Sequence, residues 1–275
     1  SSDLGDGLPL MVIQLVGREA RWLAAGAALA EAAGADIVDI NMGCPAKEVT
    51  GGLSGSALMR DLDHAERLIG AAVQATTRPV TLKMRLGWDD SHRNAPELAA
   101  RAERAGAQAI TVHGRTRQQF YNGAVDWRAV AEVKMATKLP VIVNGDIVDA
   151  ATAREALAQS GADAVMVGRG SYGRPWIAAT IDRALATGQD IGEPALSERL
   201  TIALEHFADS LRFYGDALGL KVFRKHLGWY VENASCRASA EERRAAKSRL
   251  CRLETPADVE AALTRWWSRS SLAAA

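Results

Sequence analysis

The sequence predicts an α/β fold: a (β/α)8 TIM-type barrel that lacks about two N-terminal β/α units, followed by a small all-helical C-terminal domain. Three observations carry this prediction. Short apolar, β-branched runs alternate with Ala-rich segments of helical periodicity, which indicates parallel β/α units. Glycine and polar residues follow nearly every apolar run, at the end where a barrel places its active site. Beyond residue 190 the strand signal stops and only helical patterns remain.

The predicted strands are six apolar runs with little alternation, as expected for strands buried on both faces. They occupy residues 10–15, 37–40, 80–84, 109–112, 141–143 and 164–167. Predicted helices include residues 18–33, 61–75, 96–105 and 149–159. Gly34, Gly106 and Gly161 each precede a strand within a shared Gly-Ala pattern, and we expect each glycine to end the preceding helix.

The choice of architecture lies between a barrel and a doubly wound sheet. No Gly-x-Gly-x-x-Gly follows the first strand, which weakens the dinucleotide-binding sheet. A closed barrel needs eight strands in about 250 residues, whereas six strands are visible here. We therefore expect residues 1–190 to form a barrel that is incomplete at its N-terminus, with an open six-strand fold as the alternative. Residues 188–194 mark the predicted boundary, and residues 191–275 form the predicted helical domain.

Composition narrows the class of protein. The 275 residues are 48% hydrophobic and 24% charged with a net charge of zero, which is typical of a soluble globular protein. Three cysteines, at positions 44, 236 and 251, are too few for a disulfide framework and fit a reducing cytoplasm. No apolar run reaches the roughly 18 residues of a membrane span, and no signal peptide is evident. No Cys/His cluster has the spacing of a metal site.

The last two predicted strands end in residues suited to a phosphate. Asn144, Gly145 and Asp146 follow the fifth strand, and Gly168 and Arg169 follow the sixth. Loops after the last two strands hold the phosphate in phosphate-binding barrels. Glycine lets backbone amides approach an anion, and Arg169 would add a fork of donors. We favour a phosphate site here over glycines that only make tight turns.

Other strands carry polar side chains where apolar ones are expected. Lys83 interrupts a buried run, which is costly unless the ammonium is paired, reaches the rim or is functional. A cation here could hold the N1–C2 edge of a flavin. Gln14 could hydrogen-bond a planar heterocycle. His113 ends the fourth strand beside Gly114 and Arg115, a place that favours function over a satisfied core histidine.

Cys44 lies in a loop just past the second strand, between Gly43 and Pro45. A thiol at this rim can act as a nucleophile or as a proton donor. No triad or oxyanion arrangement accompanies it, and His64 falls on the following helix, so cysteine-protease chemistry is not expected. Cys236 and Cys251 fit the common buried, unreactive cysteine.

These motifs, in this order at successive strand ends, resemble the tRNA-dihydrouridine synthases, and the resemblance covers nearly the whole chain. The motifs are residues 41–45 (Asn-Met-Gly-Cys-Pro), 83–85 (Lys-Met-Arg), 112–116 (Val-His-Gly-Arg-Thr), 144–147 (Asn-Gly-Asp-Ile) and 168–170 (Gly-Arg-Gly). Residues 173–176 (Gly-Arg-Pro-Trp) and 224–230 (Arg-Lys-His-Leu-Gly-Trp-Tyr) are similar to the bacterial B-type subgroup. The family's opening strand and Ala-Pro-Met-Ala loop have no counterpart here, in agreement with the strand count.

The resemblance implies an FMN enzyme that reduces specific uridines in tRNA to 5,6-dihydrouridine, with NADPH or NADH as reductant. It implies a cytoplasmic monomer whose partner is tRNA, with no membrane and no stable protein partner. Cys44 would give the proton opposite the hydride from flavin N5, with His113 and Lys83 as further catalytic residues. The implied FMN contacts are Gln14, Lys83, His113, Asn144, Gly145, Asp146, Gly168 and Arg169. The implied substrate contacts are Asn41, Arg85, Arg115, Lys47, Arg224 and Lys225.

A basic stretch at residues 221–252 fits RNA binding, because it contains nine Lys and Arg residues against three acids. A solvated helix face would carry the same charges. Two other functions stay open at this point. One is another FMN barrel that acts on a free pyrimidine, and the other is a flavin-free remnant that only binds RNA.

Overall fold

The computed structural model describes residues 10–190, 192–234 and 238–271. Residue 191 of the predicted boundary, together with Cys236 and Arg237, lies outside them. The chain forms two compact units, one of residues up to 147 with 151–168, the other of residues 148–150 with those from 169 onward. A domain limit near residue 190 stays a prediction.

The first unit contains one sheet of six parallel strands in the order β1-β2-β3-β4-β5-β6. The strands are β1 Val12–Leu15, β2 Ile37–Met42, β3 Val80–Arg85, β4 Ala109–His113, β5 Val141–Asn144 and β6 Ala164–Met166. Each strand lies beside its predecessor in the chain, which is the order of a (β/α) barrel, whereas a doubly wound sheet reverses direction at a switch point. The predicted α/β fold of barrel type is confirmed.

Helices connect these strands. They are α1 Ala20–Ala32, α2 Lys47–Thr50, α3 Leu62–Gln74, α4 Ala95–Arg104, α5 Arg128–Ala136 and α6 Ala150–Ser160, with a 3₁₀ helix at Gly55–Arg60. Gly34, Gly106 and Gly161 follow α1, α4 and α6 with φ of 92°, 97° and 63°. The prediction that these glycines end helices is confirmed, because a left-handed residue breaks the helical hydrogen-bond pattern without steric cost only at glycine.

The strands alternate more strongly than the sequence suggests. Val38, Ile40 and Met42 of β2 are fully buried, whereas Asp39 and Asn41 between them point to the opposite face. Leu82 and Met84 alternate in the same way with polar residues of β3. The expectation of strands buried on both faces is confirmed for β2 and β4, where most residues of both faces are buried, but not for β1 and β6, whose residues are exposed or half-buried. In β2 to β5, one face is apolar and buried, and the other face carries the polar side chains that form the site.

The second unit is helical throughout its described residues apart from loops and a 3₁₀ helix at Arg169–Ser171, which confirms the predicted all-helical C-terminal part. Its helices are α7 Ile177–Thr187, α8 Leu196–Tyr214, α9 Asp216–Asn233, α10 Ala240–Leu250 and α11 Pro256–Ser271. Phe223, Tyr230 and Trp267 lie in a buried apolar cluster with residues of α8 and α10. No helix among the described residues combines the length and apolar character needed to cross a bilayer.

Candidate active site

Polar side chains converge at the carboxyl ends of the strands because the register brings them level. Asn41 lies opposite Lys83, Arg85 opposite His113, and His113 opposite Asn144. Neighbouring strands are about 4.8 Å apart, so partners in register on the same face can contact one another. The predicted site residues therefore form two neighbouring rows, Asn41 with Lys83 in one and Arg85, His113 and Asn144 in the next row toward the carboxyl ends.

A hydrogen-bonded chain of side chains from β1 to β3 supports Asn41. Gln14 Nε2 donates to Asp39 Oδ2 over 2.6 Å, and Asn41 Nδ2 donates to Gln14 Oε1 over 2.8 Å. Thr81 Oγ1 donates to the other oxygen of Asp39 over 2.6 Å. Both Gln14 and Asn41 are thus held in defined orientations by partners within the sheet.

The Cys44 loop is held from both sides. Asn41 Oδ1 accepts the backbone N–H of Gly43 over 3.0 Å and that of Cys44 over 2.9 Å. Ser56 donates its hydroxyl over 2.8 Å and its backbone N–H over 3.1 Å to the Cys44 carbonyl. The thiol is half-buried, so the loop presents it with limited freedom.

Arg85 joins the Cys44 loop to the loop after β4. Its Nε donates to the Gly43 carbonyl over 2.8 Å, and its Nη1 donates to the carbonyls of Thr116 and Phe120 over 2.9 and 2.8 Å. Only 2% of the residue is exposed, and burial lowers the pKa of its guanidinium to about 10, so it remains a cation at neutral pH. Nη2 is the guanidinium nitrogen for which the described residues provide no hydrogen bond, and it is the atom left for a ligand.

Lys83 is a half-buried cation with an incomplete set of partners. Its Nζ donates to Asn144 Oδ1 over 3.1 Å, and no carboxylate of the described residues forms an ion pair with it. Desolvation, and to a smaller extent the charge of Arg85, lowers the pKa of Lys83 to about 8, while Asp39 opposes this shift. An ammonium has three donors, so a ligand with acceptor atoms and partial negative charge fits beside it.

His113 is kept neutral. Desolvation, followed by the positive charges of Arg85, Lys83 and Arg115, lowers the pKa of His113 to about 3. Arg115 Nη1 lies 3.3 Å from its Nε2, which assigns the ring proton to Nδ1 if the arginine donates. A neutral imidazole can therefore offer one N–H to a ligand without adding a further positive charge to the site.

Both terminal nitrogens of Arg115 have partners within the protein, whereas its buried Nε has no hydrogen-bond partner among the described residues. Arg115 pairs with Asp146 through both terminal nitrogens, and its Nη2 also donates to the Gly123 carbonyl over 2.8 Å. The residue is 2% exposed. This geometry makes Arg115 a support for the β5 loop, and its direct contact with substrate stays a prediction.

The remaining predicted residues have simpler surroundings. Gly145 has φ of 120°, and a Cβ there would lie 3.0 Å from His113 Cδ2, so the backbone passes close to the imidazole. A Cβ on Gly168, in the loop after β6, would lie 4.0 Å from Asn144 Nδ2, and Arg169 is the first residue of the second unit's main segment. Lys47 is exposed at the start of α2, and Arg224 and Lys225 are exposed on α9.

Comparisons with known proteins identify the family of the chain. The family model described as "Dihydrouridine synthase (Dus)" matches residues 5–265. The chain belongs to the dihydrouridine synthase family. A probable tRNA-dihydrouridine synthase of Rhodobacter capsulatus is 57% identical over 89% of this chain and 75% of its own length. A probable tRNA-dihydrouridine synthase of Rickettsia conorii is 50% identical over 84% of this chain and 70% of its own. The tRNA-dihydrouridine synthase B of Xanthomonas axonopodis is 44% identical over 92% and 74%.

The two segments similar to B-type dihydrouridine synthases meet in the second unit. Tyr172, next to the first segment, stacks on Trp229 of the second with ring centroids 3.9 Å apart. Gly173 has φ of 68°, and a Cβ there would lie 2.3 Å from the Trp229 carbonyl oxygen. Glycine is required at this contact, which gives that part of the motif a packing reason.

Three residues of this dihydrouridine synthase site are absent from the sequence-based prediction. Asp39 anchors Gln14, and Trp127 donates its indole N–H to the Gly145 carbonyl over 2.9 Å. Tyr121 is half-exposed, with its ring 5.5 Å from the Arg85 guanidinium and 6.4 Å from the His113 ring. The period-two spacing of Asp39 and Asn41 could have revealed the first. No sequence signal marks Trp127 or Tyr121, because both come from the irregular loop after β4.

Proposed function

We propose that this chain reduces uridines in tRNA to 5,6-dihydrouridine, with FMN as cofactor and NADPH or NADH as reductant. Membership of the dihydrouridine synthase family and relatives named as tRNA-dihydrouridine synthases support the reaction. The observation that carries the proposal is the group of polar side chains at the carboxyl ends of β2 to β4, namely Cys44, Lys83, Arg85 and His113. It combines a held thiol, two cations and a neutral imidazole at one edge of the sheet.

The residues fit a flavin. Lys83 has donors to spare and a pKa lowered by desolvation, and an electron-rich acceptor such as the N1–C2 edge would offset that desolvation. When bound, FMN would supply the hydride for uracil C6. Lys83, Gln14, Asn144 and His113 would orient the ring system. Gly145, Asp146, Gly168 and Arg169 would line the loops that hold the phosphate.

Cys44 would donate the second hydrogen. Reduction of the uracil C5–C6 bond needs a proton at C5 as well as a hydride at C6, and the two are delivered on opposite faces of the ring. Asn41 and Ser56 hold the Cys44 loop so that the thiol stays at the strand edge rather than moving into solvent. Arg85 Nη2, together with Asn41, would contact the uracil, and Tyr121 would cover it.

The RNA would be held outside the base pocket. A uridine within folded tRNA reaches such a site only when its base leaves the stack. The flanking RNA backbone must therefore be bound by residues outside the base pocket. Arg224 and Lys225 are exposed on α9, and neither forms an ion pair with a described residue. Lys47 would add a phosphate contact near the Cys44 loop. A tRNA substrate favours a cytoplasmic location and a chain that works as a monomer.

The test compares substrates on one preparation. The 275-residue chain is titrated with FMN, reduced with NADPH and mixed with unmodified tRNA transcript or with free uridine, and dihydrouridine is measured by mass spectrometry. We expect dihydrouridine to form from the tRNA transcript and not from free uridine. Equal reduction of free uridine would favour an FMN enzyme acting on a free pyrimidine. Binding of tRNA without any binding of FMN would favour a remnant that only binds RNA.

A further inference from the structure

Three loops at the active-site edge of the sheet bring two arginines onto one tryptophan. The guanidinium carbon of Arg60 lies 4.9 Å from the centroid of the Trp88 ring, and that of Arg117 lies 4.6 Å from it. Arg60 ends the 3₁₀ helix after β2, Trp88 lies in the loop after β3, and Arg117 lies in the loop after β4. We call these three residues the arginine–tryptophan clamp. The connection after β2 also contains Cys44, and the loop with Trp88 directly follows Arg85 at the end of β3.

The clamp is held by backbone hydrogen bonds. The N–H of Arg117 donates to the Gly87 carbonyl, and the N–H of Gln118 donates to the Trp88 carbonyl, both over 2.9 Å. A Cβ on Gly87 would lie 1.9 Å from the His92 carbonyl oxygen, so the loop after β3 closes tightly on itself. Trp88 is therefore a fixed platform, and cation–π contact keeps both guanidinium groups over it.

The two positive charges of the clamp have no acidic partner among the residues that the structure describes. The carboxylates of the same loops are used elsewhere: Asp89 binds His92 over 2.8 Å and Asp90 binds Arg93 over 2.7 Å. Within the described part of the chain, neither Arg60 nor Arg117 forms an ion pair, and Arg117 Nε is buried without a hydrogen-bond partner. Two pre-positioned arginines with free donors match a phosphate diester better than a neutral partner.

The clamp is close to the base pocket. Arg117 directly follows Thr116, whose carbonyl accepts a hydrogen bond from Arg85. The positive charge of Arg117 is also the smallest of the causes that lower the pKa of Arg85. A nucleotide whose base is next to Arg85 and Cys44 would therefore have its own backbone within reach of the clamp.

We propose that the arginine–tryptophan clamp binds the RNA backbone beside the uridine whose base enters the Cys44 site. The RNA nature of the ligand rests on the proposed function. Arg60 and Arg117 each contact a phosphate oxygen, and the free edge of Trp88 packs against a sugar or a flanking base. The clamp thus holds the strand on the barrel side while the base is out of its stack.

The test is tRNA binding by fluorescence anisotropy at several salt concentrations, with the FMN-loaded 275-residue chain. Arg60→Ala and Arg117→Ala should each raise Kd by roughly threefold to tenfold, the range of a net hydrogen bond at an exposed site. The logarithm of the binding constant falls linearly with the logarithm of the salt concentration. Each substitution should make this negative slope shallower by about 0.7–0.9, the value for one lost phosphate contact. Arg67→Ala, which removes an exposed arginine from the outer helix α3, is the matched control and should leave both values unchanged.

The outcomes separate this inference from the function on which it rests. Unchanged Kd and slope in both clamp variants, with normal binding by the unmodified chain, would overturn the clamp alone. An equal loss of tRNA affinity in the Arg67→Ala control would also overturn the clamp. Failure of the unmodified chain to prefer tRNA over heparin would overturn both. If circular dichroism shows that an alanine variant is unfolded, Arg60→Lys and Arg117→Lys replace it. These keep the charge but lose the planar fork, so we expect weaker binding with the salt slope retained.

Discussion

Replacing Gly55 with alanine should displace Cys44 without touching the thiol. Gly55 has φ of +59°, and a Cβ there would lie 2.8 Å from Val49 Cγ1 and 2.9 Å from the Cys44 carbonyl oxygen. The left-handed backbone costs about 1 kcal/mol for alanine, and overpacking at two such contacts costs about 1–3 kcal/mol more. We therefore expect a loss of about 2–4 kcal/mol, relieved in part by movement of the Cys44 loop.

Two assays measure the consequence. Urea unfolding gives the change in stability, and single-turnover reduction of tRNA by the pre-reduced enzyme gives the change in rate. A displacement of about 1 Å at a reacting group can lower the rate by about a hundredfold. Gly70→Ala is the control, because Gly70 lies within α3, a Cβ added there would meet no atom within 4 Å, and alanine favours a helix. A Gly55→Ala variant as stable and as fast as the unmodified chain would refute the reasoning.

Three further predictions concern charge. Lys83→Met should weaken FMN binding at least about tenfold, because a charged hydrogen bond is worth more than one factor of ten, and flavin fluorescence titration measures this; unchanged affinity would remove Lys83 from the flavin site. The pKa of His113 is lowered to about 3, so the unfolded chain binds more protons between about pH 6.5 and 3, and stability should fall as pH falls through this window. Thermal melts should show a flatter pH dependence for His113→Gln, and identical profiles would contradict the assignment. Arg224→Ala with Lys225→Ala should weaken tRNA binding and its salt dependence, whereas unchanged affinity would remove α9 from the RNA interface.

The sequence alone predicted the order of strands and helices because strand ends, glycines and apolar runs are local signals. It also placed Cys44, Lys83, His113 and Asn144 at strand ends, and register then brings such residues together. It could not predict which of the polar side chains expected to contact a ligand already have hydrogen-bond or ion-pair partners within the protein. The ion pair of Arg115 with Asp146 is one example, since it joins two loops about thirty residues apart in the chain.

The loop after β4 was the least predictable part of the site. Tyr121 and Trp127 contribute there, and their positions depend on an irregular backbone rather than on periodicity. The arginine–tryptophan clamp is likewise invisible in the sequence, because its members come from three separate loops. Local patterns identify residues at strand ends, whereas contacts between loops require the fold.

Removal of the Cys44 thiol tests the central claim most directly. In Cys44→Ala, FMN content and reduction by NADPH should match the unmodified chain, while dihydrouridine formed per reduced flavin in a single turnover should fall by at least about a hundredfold, the usual contribution of a positioned acid. Cys251→Ala, which removes the half-buried thiol that contacts the Arg224 carbonyl, should leave every step unchanged. Dihydrouridine formation at the unmodified rate in Cys44→Ala would contradict the account.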